Sequence, residues 1–179
     1  MSRVRLHDLE FVPFISEGEV GAAIDRVAAR LNTDYAGKRP LLIGVLNGAF
    51  FFAAELVKRL TIECEVSFVK VASYHGTRST GKVSELIGLS ERIEGRHVIV
   101  LEDIVDTGST IRHILDSLND HHPASVRIAA LLFKPSAYKQ DIPIDYVAQE
   151  IPNAFVVGSG LDHDGLGRNL PGIYTITES

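Results

Sequence analysis

The sequence predicts an α/β fold in which helices flank an open, mainly parallel β-sheet. Short apolar runs of strand length alternate with segments of helical periodicity, the order expected for strands joined by helical crossovers. The chain has 179 residues, which suits one domain, so residues 1–179 are expected to form a single unit. A cluster of carboxylates follows one apolar run, and ligands of such sheets usually bind beyond the carboxyl ends of the strands.

The first helix is predicted by its start signal and its periodicity. The tetrapeptide Ser-Glu-Gly-Glu at 16–19 is the pattern of a capping box, in which Ser16 and Glu19 exchange hydrogen bonds. The apolar residues that follow fall on one helical face: Val20, Ile24, Val27, Ala28 and Leu31. This helix is expected to be structural.

The remaining elements alternate in type. Strands are predicted from apolar runs at 41–46, 66–72, 86–89, 97–101, 126–133, 145–149, 154–157 and 173–177. Helices are predicted at 49–60 and from the turn after the 97–101 strand to about Asn119. The polar segment 73–82 has two glycines and almost no apolar side chain, which predicts a loop.

Composition and charge limit the function classes. Hydrophobic residues make up 45% and charged residues 23% of the chain, which is typical of a folded globular protein. The 18 basic and 23 acidic residues leave a net charge of −5, so composition offers no case for a nucleic-acid partner. Cys64 is the only cysteine, which excludes an intrachain disulfide and fits a reducing compartment. With no secretory signal and no long apolar run, the expected location is cytoplasmic, away from membranes.

The most informative segment spans residues 98–111 and reads VIVLEDIVDTGSTI. Its apolar start predicts a buried strand, and Gly108 with its small hydroxyl neighbours lets backbone amides converge on an anion at a helix N-terminus. Glu102, Asp103 and Asp106 lie at the same strand end. Because carboxylates repel a bare phosphate, this combination predicts a bridging Mg²⁺, a hydroxyl-rich sugar, or both.

Two other interpretations of this segment are open at the level of the residues. A strand, a turn and an Asp or Thr N-cap require no ligand. Residues 106–109, Asp-Thr-Gly-Ser, are also the tetrapeptide of aspartic proteases, in which two aspartates share a proton. A protease would need β-structure around Asp106 and a symmetric dimer, because the motif occurs once. The residues after the turn instead recur at helical spacing: Ile111, Ile114, Leu115 and Leu118.

The whole segment resembles the phosphoribosyl-diphosphate (PRPP) binding motif of the type I phosphoribosyltransferases, and its Glu-Asp-Ile-Val-Asp-Thr-Gly core is most similar to the hypoxanthine-guanine branch. The resemblance runs from about residue 45 to residue 177. It implies a parallel sheet with a small hood formed by the terminal segments. The implied activity is purine salvage: the 5-phosphoribosyl group passes from PRPP to N9 of hypoxanthine or guanine, which gives IMP or GMP and pyrophosphate, with Mg²⁺ as the cofactor.

The resemblance assigns roles to the residues of the motif. Four of them would hold the 5′-phosphate through amides and hydroxyls: Thr107, Gly108, Ser109 and Thr110. Glu102 and Asp103 would hold the ribose hydroxyls, directly or through Mg²⁺. Asp106 would be the catalytic general base, which accepts or hydrogen-bonds the N7 proton as N9 attacks. Many relatives have lysine at the position of Ser109, so weaker attraction for the phosphate is expected here, with the backbone contacts kept.

Two further segments are similar to the pyrophosphate-binding elements of the family. The turn at Leu46, Asn47 and Gly48 would bind pyrophosphate through backbone amides, and in the family a cis peptide bond often occurs at the position between Leu46 and Asn47. Relatives often have a basic residue where this chain has Asn47, so only the backbone contact is expected here. Arg168 would contact pyrophosphate with its planar guanidinium. Without the resemblance, Leu46 to Gly48 is an ordinary turn.

The base-binding residues follow from the same resemblance. Lys134 would donate to the purine O6, Phe155 would stack on the base, and the Val156 backbone would contact the edge of the base. Asp162 completes this purine-binding segment and would hold a second Mg²⁺ on the pyrophosphate side, so the predicted metal ligands are Glu102, Asp103 and Asp162. Without the resemblance, Lys134 is a surface lysine, Phe155 a core residue and Asp162 a solvated carboxylate.

The resemblance also implies a lid and partners. Ser73 and Tyr74 open the polar loop and match the lid of the family, which excludes water from a reactive sugar cation; an exposed loop is the simpler interpretation. The expected partners are PRPP and a 6-oxopurine base, with neither nucleic acid nor membrane, and the expected assembly is a homodimer or homotetramer. A non-catalytic regulator with the same fold is an alternative, and it would need a basic RNA-binding surface.

Overall fold

The computed structural model describes residues 2–73 and 84–177. In chain order, the elements of these residues are β1 (Val4–Leu6), β2 (Leu9–Ile15), α1 (Glu17–Asp34), β3 (Leu41–Leu46), α2 (Phe50–Val57), β4 (Glu65–Ser73), β5 (Ser84–Ile87), β6 (His97–Val105), α3 (Ser109–Asn119), β7 (Ser125–Phe133), β8 (Tyr146–Glu150), β9 (Val156–Val157) and β10 (Ile173–Ile176). This order confirms the predicted α/β class. None of the helices in the described ranges has the length and hydropathy needed to span a lipid bilayer.

The larger sheet has the strand order β5-β4-β3-β6-β7-β8. Strands β4, β3, β6, β7 and β8 run parallel to one another, and β5 pairs with β4 in the antiparallel direction at one edge. The prediction of an open, mainly parallel sheet is therefore confirmed. The carboxyl ends of the parallel strands lie on one side of the sheet, which is where such sheets bind ligands. The residues that follow β6 therefore lie on that side.

Helices cover both faces of this sheet, so the central strands are apolar throughout. On β6, Ile99 and Leu101 pack in one cluster with side chains of α1 and α2. Val98 and Val100 pack on the other face with residues of α3. Since successive side chains of a strand point to opposite faces, burial on both sides requires the continuous apolar run that precedes the acidic motif.

A smaller antiparallel sheet with the order β1-β2-β10-β9 brings the two ends of the chain together. It is the hood that the resemblance implies. Val156 of β9 packs in the same apolar cluster as side chains of the larger sheet. The sequence patterns do not predict β1 or β2. The segment Leu9–Ile15 contains Glu10 and Pro13, and it becomes a strand because it pairs with β10 from the other end of the chain.

Most predicted strand boundaries lie within one or two residues of the observed ones, and two elements differ by more. The strand predicted at 97–101 continues to Val105, because β7 pairs with it as far as Val105 and Phe133. The carboxylates Glu102 and Asp103 therefore lie within β6 rather than after it. The helix predicted at 49–60 spans Phe50–Val57 and is followed by a turn.

Candidate active site

The connection between β6 and α3 forms the centre of the candidate site. β6 carries Glu102 and Asp103 near its carboxyl end, and α3 begins at Ser109. Gly108 is the N-cap of α3 and has a φ angle of 82°, a left-handed conformation that glycine adopts without steric cost. A Cβ at this position would also overlap the ring of Tyr138. Both backbone conformation and close packing therefore require glycine here.

A cavity of about 290 Å³, which we call the loop cavity, is lined by residues 102–111. It lies at the amino terminus of α3, where the first backbone amides of a helix have no intrahelical acceptor. The hydroxyls of Thr107 and Ser109 are hydrogen-bonded to each other at 3.2 Å. Free amides, hydroxyls and the helix dipole suit a phosphate. The residues predicted to bind the 5′-phosphate all line this cavity: Thr107, Gly108, Ser109 and Thr110.

A second cavity of about 260 Å³, which we call the Phe155 cavity, adjoins the loop cavity. The two cavities share Asp103, Ile104 and Asp106. The residues predicted to contact the base line the second one: Lys134, Phe155, Val156 and Asp162. The Phe155 ring is 45% exposed and lies beside charged groups, an arrangement that suits a planar heterocycle with polar edges.

Lys134 follows β7 and is only 7% exposed, which is unusual for a lysine. Its Nζ donates to Oδ2 of Asp106 at 2.9 Å, and its backbone N–H donates to the carbonyl of Val105 at 3.0 Å. The Asp106 side chain is 45% exposed, so its carboxylate remains accessible to a ligand. A buried ammonium requires a partner, and this pairing argues against a mere solubility role for Lys134.

The turn after β3 packs directly against β6. β3 ends at Leu46, and the peptide bond between Leu46 and Asn47 is cis, as the resemblance predicts. A Cβ at Gly48 would overlap Oδ2 of Asp103, and a Cβ at Gly160 would overlap the Gly48 carbonyl. The backbone at Gly48 is therefore enclosed between β6 and the segment after β9, with no room for a larger side chain.

Arg168 and Asp162 form an ion pair beside this turn. Nη2 of Arg168 lies 2.6 Å from Oδ1 of Asp162, and Nη1 donates to the carbonyl of Gly160 at 2.6 Å. The other carboxylate oxygen of Asp162, Oδ2, accepts the backbone N–H of Gly165 at 2.7 Å. The resemblance implies pyrophosphate as the partner of Arg168. The structure adds Asp162 as its partner within the protein, which sequence reasoning did not foresee.

Burial changes the acidity of two carboxyl groups at this site. Glu102 is 5% exposed, and burial, reinforced by the charge of Asp103, raises the pKa of Glu102 well above its usual value. Burial also raises the pKa of Asp103, while the backbone N–H of Ile104 and the guanidinium of Arg168 act in the opposite direction. A positive charge bound near these groups would therefore be stabilising.

The carboxylates of the site fit a magnesium ion that is held jointly with the phosphates of a bound molecule. Of the predicted ligands, Glu102 lines the loop cavity, Asp162 lines the Phe155 cavity and Asp103 lines both. Within residues 2–73 and 84–177, the histidine, cysteine and carboxylate side chains form no group of three that would hold a metal on its own. Carboxylate oxygens suit Mg²⁺, which is commonly held by one or two carboxylates together with substrate phosphates.

A larger cavity of about 450 Å³ lies at the other end of the strands, beside the amino ends of β6, β7 and β8. Its charged groups are already engaged with one another or with the backbone. Arg127 pairs with Asp145 at 2.9 Å, and Tyr146 donates to Asp34 at 2.7 Å. Lys38 donates to the backbone carbonyl of Asp34 at 2.7 Å. Size alone therefore does not identify the active site, because parallel sheets bind ligands at the other edge.

Some residues that shape the site had no role in the sequence analysis. Gly160 encloses the Gly48 turn, Tyr138 packs against Gly108, and His163 contacts the Phe155 ring. The glycine-rich run GSGLDHDGLG at 158–167 was the available signal for the first of these. Of the predicted lid, Ser73 is the last residue of β4, and Tyr74 lies outside the described residues.

Comparison with known proteins agrees with this geometry. Residues 16–164 match the family model described as a phosphoribosyl transferase domain. A hypoxanthine-guanine phosphoribosyltransferase of Streptococcus pneumoniae is 44% identical over 165 residues, which cover 92% of each chain. The enzyme of the same name from Bacillus subtilis is 41% identical over 166 residues, again 92% of each chain.

The fold is also similar to that of solved structures. The crystal structure of a hypoxanthine phosphoribosyltransferase from Staphylococcus aureus superposes with a TM-score of 0.85 at 39% sequence identity. The match covers 93% of this chain and 91% of that one.

Proposed function

Because the chain belongs to the phosphoribosyl transferase family, we propose that it transfers the 5-phosphoribosyl group of PRPP to N9 of hypoxanthine or guanine. The products are IMP or GMP and pyrophosphate, and the role is purine salvage. The observation that carries the proposal is the Lys134–Asp106 pair, which faces the Phe155 cavity where that cavity adjoins the loop cavity. A base and a phosphorylated sugar bound in the two cavities would be neighbours.

The loop cavity would hold the phosphoribosyl group. The amides of residues 108–110 and the hydroxyls of Thr107, Ser109 and Thr110 would bind the 5′-phosphate at the amino terminus of α3. Glu102 and Asp103 would bind the ribose hydroxyls, directly or through Mg²⁺. Ser109 has no positive charge, so attraction for the phosphate depends on the backbone and the helix dipole.

The Phe155 cavity would hold the base. Phe155 would stack on the purine, and the backbone of Val156 would contact its edge. Lys134 would donate to O6, while Asp106 would accept or hydrogen-bond the proton on N7 as N9 attacks the anomeric carbon. A buried lysine donor would select bases that carry an oxygen at position 6, because an amino group there cannot accept a hydrogen bond from the ammonium.

Pyrophosphate would leave between the Gly48 turn and Arg168. The backbone of Leu46, Asn47 and Gly48 would bind it, and the Arg168 guanidinium would contribute charge. Glu102, Asp103 and Asp162 would hold Mg²⁺. When bound, the ion would neutralise charge on the diphosphate and so stabilise the departing group. The protein contributes placement and charge balance rather than a covalent intermediate.

We also propose that the protein is a homodimer or homotetramer of single-domain subunits, each comprising residues 1–179. Phe50 and Phe51 at the start of α2 are 51% and 38% exposed and make an edge-to-face contact at 5.6 Å. The Phe50 ring also lies 6.3 Å from Phe68. Clustered exposed aromatic rings suit a subunit interface, and light scattering on the purified protein tests this.

A reduced Cys64 and a phosphorylated substrate fit a cytoplasmic location.

The deciding experiment is an assay of nucleotide formation from PRPP, with hypoxanthine, guanine, xanthine and adenine offered separately, in the presence and absence of Mg²⁺. Formation of IMP and GMP that requires Mg²⁺, with little product from adenine, is the expected result. If none of the four bases reacts although PRPP binds, purine salvage is the wrong function. The same assay ranks the 6-oxopurines, which differ only at position 2.

A further inference from the structure

His163 lies immediately after Asp162, where the chain leaves the Phe155 cavity and meets the hood. Its backbone is held by two hydrogen bonds with Leu166: His163 N–H to the Leu166 carbonyl at 2.9 Å, and Leu166 N–H to the His163 carbonyl at 3.0 Å. Its side chain is 17% exposed. The proposed reaction gives this residue no role, so its position requires another explanation.

The imidazole of His163 is surrounded by aromatic rings. The Phe155 ring stands at 90° to it, with a centroid separation of 5.7 Å. Phe11 of β2 is fully buried and lies 6.1 Å from the imidazole and 6.0 Å from the Phe155 ring. His7, in the hairpin between β1 and β2, makes a further edge-to-face contact with His163 at 5.5 Å. The ring of Phe155 is therefore supported by the hood and by His163.

The nitrogen atoms of His163 do not account for its position. Within the described part of the chain, its Nε2 is the one buried side-chain nitrogen or oxygen that has no hydrogen-bond partner. Oδ1 of Asp8 lies 3.8 Å from this atom and Oδ2 of Asp164 lies 4.0 Å from Nδ1, and both distances are beyond hydrogen bonding. A buried nitrogen without a partner lowers stability, so the favourable interaction at this position is the packing of the ring itself.

We propose that His163 is a positioning residue that holds the plane of the Phe155 ring and thereby sets the affinity for the base. The inference rests on the proposed function, in which Phe155 stacks on the purine. Perpendicular aromatic contacts are directional, so they restrict the orientation of a ring that is otherwise half exposed. A platform held in its binding orientation loses less conformational freedom when the base binds. His163 acts here through its ring, without a hydrogen bond to the substrate.

Three substitutions of His163 distinguish the contribution of its aromatic ring from the contributions of its side-chain volume and its nitrogen atoms. His163→Ala removes all of them, His163→Leu keeps most of the volume, and His163→Phe keeps the ring without the unpaired nitrogen. His163→Ala and His163→Leu are expected to raise the KM for hypoxanthine and guanine about three- to tenfold, the range that one aromatic contact supports. The KM for PRPP should stay within about twofold, because Asp162 and the loop cavity are unchanged.

His163→Phe is the rescue variant. It should restore the KM for the base and raise the melting temperature, because an unpaired buried nitrogen is replaced by carbon. His121→Ala, an exposed histidine beyond the end of α3, is the matched control and should change neither KM. Crystal structures of the His163 variants supply a readout independent of turnover: the Phe155 ring should change orientation with alanine or leucine and keep it with phenylalanine.

Each contrary result identifies what is wrong. If His163→Phe is as impaired as His163→Ala, the nitrogens rather than the ring are required, and the proposal fails. It also fails if the KM for PRPP rises as much as that for the base, since the effect then passes through Asp162. An unchanged Phe155 ring in His163→Ala excludes the positioning role. A wild-type protein that makes no nucleotide, while the ring still depends on His163, instead rejects the proposed function.

Discussion

Nζ of Lys134 lies 2.9 Å from Oδ2 of Asp106, although 28 positions separate the two residues in the chain. The register of the parallel strands produces this pair. Val105 of β6 is paired with Phe133 of β7, so the next residue on each strand emerges at the same carboxyl edge. A donor and an acceptor therefore lie side by side, as the adjacent O6 and N7 positions of a 6-oxopurine require.

Replacing Asp106 by asparagine is expected to lower kcat more than it changes substrate affinity. Asparagine keeps the size of the side chain but accepts a proton poorly, and general-base catalysis typically contributes about 100-fold or more to the rate. Steady-state kinetics with saturating PRPP measure the effect. Asp116→Asn, on the exposed side of α3, is the matched control. An unchanged kcat in Asp106→Asn would show that Asp106 is not the base.

Replacing Lys134 by glutamine is expected to weaken binding of 6-oxopurines about 10- to 100-fold, the usual contribution of a hydrogen bond from a charged donor. Discrimination against adenine should fall as well, because an amide can also accept a hydrogen bond from an amino group. The ratio of kcat/KM for hypoxanthine and adenine is the measurement. Lys58→Gln, at an exposed ion pair with Glu55 just after the end of α2, should leave that ratio unaltered. A retained preference in Lys134→Gln would contradict the assigned role.

Replacing Gly48 by alanine is expected to raise the KM for PRPP at least about tenfold, because the new Cβ would overlap the Asp103 carboxylate and displace the turn proposed to bind pyrophosphate. Gly18→Ala is a suitable comparison. Position 18 lies in α1 with no atom within 4 Å of an added Cβ, so alanine there should stabilise the helix. Kinetics and thermal melts on both variants test the pair. Normal PRPP kinetics in Gly48→Ala would mean that the turn is not part of the site.

Replacing Ser16 by alanine is expected to destabilise the fold by about 1 kcal/mol at neutral pH, since it removes the side-chain part of the capping box. Hydrogen bonds from the Ser16 hydroxyl and backbone N–H lower the pKa of Glu19 below its usual 4.5. Stabilisation of this sign is present above the unfolded-state pKa and is lost as the pH falls through the folded-state value.

The difference in stability between wild type and Ser16→Ala should therefore shrink as the pH falls below 4.5. Urea denaturation at pH 7 and at about pH 3.5 measures it. Ser136→Ala, at an exposed turn, should show no such difference at either pH. If the difference in stability between wild type and Ser16→Ala were larger at the lower pH, the protonated rather than the ionised Glu19 would stabilise the helix.

Local sequence patterns predicted the elements that depend on near neighbours. The capping box at Ser16 and Glu19 is present, with the Ser16 N–H to Glu19 Oε2 distance at 2.8 Å. The apolar runs at 41–46, 66–72, 97–101, 126–133 and 145–149 correspond to the parallel strands of the larger sheet. The turn at Gly108 leads into a helix as predicted. Aspartic protease chemistry is inconsistent with this result, because Asp106 lies between a parallel strand and a helix.

Residue types and motif order, read with the family resemblance, identified most of the side chains of the candidate site. They did not predict how those side chains pair. The contacts of Lys134 with Asp106, Arg168 with Asp162 and His163 with Phe155 join different elements of the fold. Strand register, the path of the loop after β9 and the position of the hood determine these contacts, and no local pattern encodes any of the three.

The α/β class, the turn between β6 and α3 and the chemical types of the candidate site residues could be inferred from the sequence, because hydrophobic periodicity, capping and glycine requirements act over a few neighbouring positions. The place of β1 and β2 in the hood, the burial of Lys134 and the support of Phe155 by Phe11 and His163 became visible in the folded structure alone. Those outcomes depend on contacts between distant segments, whose stability comes from burial and pairing across the whole fold.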